Sequence, residues 1–167
     1  MRFIVALILS IVLSGCGILQ SSRDSDWVKK RRAMNLDPYH IQSCGPVALQ
    51  KAFLNFGISI DLKSLSHTIQ SSPSCSNLLR DALSAFNREA RQITFPAEIK
   101  KILKKNGFTI VSIKRLKDLD KDKDTGIVLI RKKNSLTYHW ACFPNDTNIE
   151  SFFGKDTLIE EIYLIKK

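Results

Sequence analysis

The sequence predicts an α+β domain in which N-terminal helices pack on a C-terminal antiparallel β-sheet. Two observations carry this expectation. Apolar residues recur at helical spacing in the first part of the domain, and after Phe108 they give way to short runs of β-branched and aromatic residues separated by turn signals. Helices followed by strands favour α+β, and no internal repeat or second-domain boundary interrupts the order.

Each element has its own signal. From Gly45, the residues Ala48, Leu49, Ala52, Phe53 and Phe56 share one helical face, and Gly57 supplies a natural stop. A second helix is expected from Asp61 or Leu62 to about Gln70, with Leu62, Leu65 and Ile69 on one side and the Ser71-Ser72-Pro73-Ser74 cluster ending it. Leu78 to Phe86 carries a third helical pattern. A fourth runs from Pro96 to Lys105, with Ile99 and Leu103 inward and Asn106-Gly107 as its end. The expected strands are Phe108 to Ile113, Gly126 to Ile130, Tyr138 to Phe143, Ile149 to Phe153 and Ile162 to Ile165.

Upstream of this domain the chain reads as a targeting segment. Arg2 precedes an 11-residue apolar run, Phe3 to Leu13, too short to cross a bilayer. A charged start, a short apolar centre and small residues at its end form a secretory signal. Leu13-Ser14-Gly15-Cys16 resembles the lipobox of bacterial lipoproteins, which implies cleavage before Cys16 and acylation of that residue. The expected organisation is therefore a signal peptide over 1–15, a polar lipid-anchored tether over 16–36 and a folded domain over 37–167. An extracytoplasmic protein held on a bacterial envelope membrane follows from it.

Lys and Arg number 26 against 16 Asp and Glu, a formal charge of +10. Loss of Arg2 with the signal leaves 25 against 16, or +9. The basic residues are scattered in pairs and short runs without interleaved aromatics. That pattern argues against nucleic-acid binding and suits solvated faces, with some affinity for anionic lipid or cell wall. Asp118, Asp120, Asp122 and Asp124 mimic the start of a calcium loop. Counting from Asp118, however, puts Lys123 at the required Gly and Leu129 at the required Glu, so a solvated loop is expected and no metal or other cofactor is implied.

With Cys16 acylated, Cys44, Cys75 and Cys142 remain, an odd number that leaves at least one thiol free. Cys75 and Cys142 form a disulfide in one reading; in the other all three stay unpaired. Cys44 falls at a helix start, where unpaired N–H groups and the macrodipole favour a thiolate. Gly45 gives room for a backbone to approach closely, and Pro46 has no N–H to leave unpaired there. Of the histidines His40, His67 and His139, the last opens the apolar strand His139-Trp140-Ala141-Cys142-Phe143, so a sheet would fix its direction. His139 is the expected base.

Gln42-Ser43-Cys44-Gly45-Pro46-Val47-Ala48-Leu49, the helix end Phe53 to Gly57 and the His-Trp strand about 95 residues later resemble the papain-like peptidases that process bacteriocin leaders, the peptidase C39-like type. The resemblance covers roughly His40 to the C-terminus. It implies a papain-like fold and amide cleavage by a Cys-His-Asp type site on a peptide or protein substrate. If Pro144-Asn145-Asp146-Thr147-Asn148 turned a hairpin, a strand returning from Ile149 would come level with His139 near Phe153 to Asp156. Asp156 is then the expected orienter, with Glu150 about three residues, ~10 Å, along the sheet. The family's oxyanion Gln position is Pro38 here, which has neither a side-chain donor nor an N–H. Gln42 and the Cys44 N–H are the expected substitutes. This departure keeps an alternative open, a catalytically weak or inactive papain-like lipoprotein that binds a peptide or cell-wall fragment.

Overall fold

The computed structural model describes residues 43–71, 79–80, 82–83 and 92–167. The expected signal and tether, with Cys16, Pro38, His40, Gln42 and Cys75, lie outside the described residues. Among those described are α1 (Cys44–Asn55), α2 (Leu62–Ser71), α3 (Pro96–Lys105), β1 (Thr109–Ile113), β2 (Thr125–Lys132), β3 (Tyr138–Phe143) and β4 (Thr157–Lys166). Leu79, Arg80, Ala82 and Leu83 are also helical. The architecture is α+β: the strands form one antiparallel sheet in the order β1-β4-β2-β3, with β3 at an edge. No helix among the described residues is long and apolar enough to cross a membrane.

Local chemistry explains the helix ends. Gly57 and Gly107 follow α1 and α3 at φ of +72° and +81°, a left-handed conformation that glycine adopts without a Cβ penalty. At each end the next two N–H groups fold back: Gly57 to the Leu54 carbonyl and Ile58 to that of Phe53, Gly107 to that of Lys104 and Phe108 to that of Leu103. This satisfies carbonyls a helix end would otherwise leave unpaired. It also delivers Phe108 against Phe53 and Phe56, at ring-centroid distances of 5.6 and 4.8 Å.

The sheet is apolar on both faces, which is why β2 reads as a continuous buried run rather than an alternating one. One face packs Ile127, Leu129, Trp140, Cys142, Tyr163 and Ile165 against α1, α2 and α3. The other gathers Val128, Ile130, Ala141, Phe143, Ile162 and Leu164 under Leu119 and Ile149.

One predicted strand is corrected. Ile149–Ser151 is a 3-10 turn, followed by another over Gly154–Asp156. Asn148 enters it in the left-handed region, at φ of 62°. Ile149, Phe152 and Phe153 are spaced at i, i+3 and i+4, the spacing of a turn that packs one side, and Ile149 is buried in the far-face core. The chain then returns as β4, which pairs with β2 and β1 and not with β3. The expected hairpin partner of the His139 strand does not form.

Candidate active site

Cys44 occupies the first position of α1, after the N-cap Ser43. The Ser43 side chain makes no capping bond, and the first intrahelical bond is Val47 N–H to the Ser43 carbonyl at 3.3 Å. Cys44, Gly45 and Pro46 therefore precede the ladder, and Pro46 has no N–H. The two donors that remain, the N–H groups of Cys44 and Gly45, both face the Cys44 sulfur and draw its pKa down.

A third donor comes from the sheet. The Cys142 N–H points off the free edge of β3, where it donates to the Asp146 carboxylate at 2.7 Å. Alternation places the Trp140 N–H on the same edge, and there it faces the Cys44 sulfur. The thiol is thus beside the peptide unit that joins His139 to Trp140. Burial nevertheless dominates: it pushes the thiol above its ordinary value despite the three N–H groups, so the resting group is SH.

The start of α1 is pressed into place by the 93–95 segment. Thr94 fills the space a Cβ on Gly45 would occupy, so the close approach that Gly45 permits is made by the protein's own chain. Trp140 Nε1 donates to the Thr94 carbonyl at 2.8 Å. Arg80, only 1% exposed, donates to the Ile93 carbonyl and, at 2.7 Å, to both oxygens of Glu98. Glu98 in turn accepts the Phe95 N–H at 2.8 Å. The thiol's surroundings are therefore built from four separate stretches of chain.

His139 is half-buried. Its neighbours on β3, Trp140 and Cys142, face the helices, whereas its ring stacks on Phe152 with centroids 3.9 Å apart and planes 12° from parallel. Burial lowers its pKa, the Asp146 charge raises it, and Lys51 lowers it again. No hydrogen bond joins His139 to Cys44 or to a carboxylate among the described residues.

Asp156 is not brought to His139. Ile130 stands between His139 and Ile159 in the ladder, so Asp156 lies two strand spacings across, about 10 Å, and roughly 10 Å further along. Its carbonyl accepts the Lys133 N–H at 2.7 Å. Glu150 is exposed. The carboxylate whose charge acts on the ring is Asp146, which also pairs with Lys51 of α1. Sequence reasoning treated Asp146 as turn residue alone; the missed signal was that an edge-strand N–H needs an acceptor. Gln42 lies outside the described residues.

Among the described residues Cys142 is a free thiol buried in the sheet, its pKa pushed up to about 12 mainly by burial and then by Asp146. The aspartates over 118–124 serve their own loop: Asp120 accepts the Asp122 N–H, Asp124 the Asp120 N–H, and Arg115 pairs with Asp118. No protein-family model, curated protein or solved structure matches this chain.

Proposed function

We propose that the chain is a papain-like thiol peptidase or amidase, anchored through Cys16 to a bacterial envelope membrane and acting outside the cytoplasm on a peptide or protein. The observation that carries this reading is the meeting of a helix-start thiol with the Trp140 N–H, one peptide unit from His139. Because thiol and imidazole are both neutral at rest, the proton moves during attack rather than before it. His139 takes the Cys44 proton as sulfur adds to the amide carbonyl. The Cys44 and Gly45 N–H groups, with Gln42, are the donors offered to the oxyanion. His139 then returns the proton to the leaving amine, and water hydrolyses the thioester with His139 again as base. Pro38 removes one family donor, a loss worth roughly 10²- to 10³-fold in rate, so a slow enzyme is expected.

The test is cleavage of a library of unstructured peptides, read by mass spectrometry, with wild type, Cys44→Ala and His139→Asn. Cleavage by the wild type that both variants lose supports the reading; cleavage that persists in Cys44→Ala rejects it. A binding protein that holds a peptide or cell-wall fragment is the second reading. It is favoured by the missing bond between Cys44 and His139, and it predicts that Cys44→Ala binds such a ligand undiminished.

A further inference from the structure

We propose that Phe152 is the positioning residue of this site, fixing the plane of the His139 ring in the role that a carboxylate fills in a Cys-His-Asp triad. This rests on the Cys44–His139 reading above. The two rings lie face to face at 3.9 Å and 12°. Phe152 is itself held: Phe153 meets it edge-on at 4.9 Å and 90°, and Phe153 packs on the far-face core. The Phe153 N–H donates to Thr157 Oγ1 at 2.8 Å, and that hydroxyl donates to the Gly154 carbonyl at 2.8 Å. Buried Ile149 pins the other end of the segment.

The carboxylates do not supply this function. Glu150 and Asp156 share the segment with Phe152 yet make no bond to the ring among the described residues, and Asp146 acts on it through charge, opposed by Lys51. A face-on partner restrains the plane of the imidazole while leaving both nitrogens at its rim free to bond. The stacked face keeps water off the ring and supplies no counter-charge when the ring gains a proton, so the clamp trades rate for a ring held without an acid.

The experiment uses the full chain with Phe152→Leu and Phe152→Tyr, following the His139 Cε1 proton by NMR across pH alongside kcat and KM for Cys44-dependent cleavage. Phe152 is 45% exposed, so neither variant opens the core. In Phe152→Leu the resonance should move downfield as the ring current is lost, the His139 pKa should rise as its cover goes, and kcat should fall about 10- to 100-fold with KM little changed. Phe152→Tyr should restore all three. An unmoved resonance and titration in Phe152→Leu, or failure of Phe152→Tyr to restore them, overturns the proposal. If the wild type cleaves nothing, the enzyme reading fails, and the resonance alone still decides whether Phe152 holds the ring.

Discussion

At Cys44 burial and three N–H groups pull in opposite directions, and burial prevails. Alkylation by iodoacetamide should therefore accelerate through and beyond the ordinary thiol range, near pH 8.5, without a reactive plateau on the acid side. A plateau reaching below pH 6 would mean a preformed thiolate–imidazolium pair instead. At His139 the folded pKa is depressed by burial, so the unfolded chain takes up a proton first on acidification. Its contribution to stability is intact above the unfolded value near 6.5, shrinks as pH falls below it, and levels off once the folded ring is also protonated. Urea midpoints at pH 8 and pH 5 test this: His139→Gln should narrow the difference between them, and an unchanged difference would contradict the assignment. The places of both residues in the fold were legible in the sequence because a helix start and a strand start are local features. Asp146 and Phe152 were not, because their proximity to His139 depends on which strand β4 joins.

Among the elements, α1 is fixed at three points: its start at Trp140 of β3, Lys51 at Asp146 in the turn after β3, and Asn55 at Asn145 of that turn and Thr125 of β2. Its start also bears on Thr94, and Gly45→Ala would force a methyl into that side chain. Overpacking of this kind typically destabilises by about 1–3 kcal/mol, which thermal unfolding would register. Glu98→Gln should be more severe, roughly 3–5 kcal/mol, since it strips a buried guanidinium of the anion it bonds twice. A loss below about 1 kcal/mol in denaturant unfolding would show that Arg80 finds equal compensation elsewhere. The helix ends and the β3 boundaries agree with periodicity and turn chemistry because those signals act over a few residues. The Ile149 segment misled because three apolar residues in five fit a strand until Asn148 and the 3-10 turns set a different period. Arg80 and Glu98 gave no sign of their pairing, since 18 residues separate them and each is ordinary for a helix surface.

For the molecule as a whole, the exposed charge bears on the proposed anchor. Exposed lysines gather at opposite ends of the sheet: Lys104, Lys105, Lys166 and Lys167 where β1 pairs with the end of β4, and Lys132, Lys133 and Lys155 where β4 begins. Among the described residues, charge divided in this way attracts an anionic surface without presenting one docking face, so attraction alone should be weak and easily screened. In the proposed lipoprotein the acyl chains on Cys16 carry the attachment, and the basic surface adds a salt-sensitive share. We therefore expect a form beginning at Gly17 to sediment with phosphatidylglycerol vesicles at about 0.01 M salt, where the screening length is about 30 Å, and to be released at about 0.15 M, where it is about 8 Å. It should ignore phosphatidylcholine vesicles at either concentration. The full chain expressed in bacteria should incorporate a palmitate analogue and stay in the membrane fraction at the higher salt, and Cys16→Ala should lose both properties. Membrane retention of Cys16→Ala at about 0.15 M salt would transfer the anchoring role from the acyl chain to the folded domain.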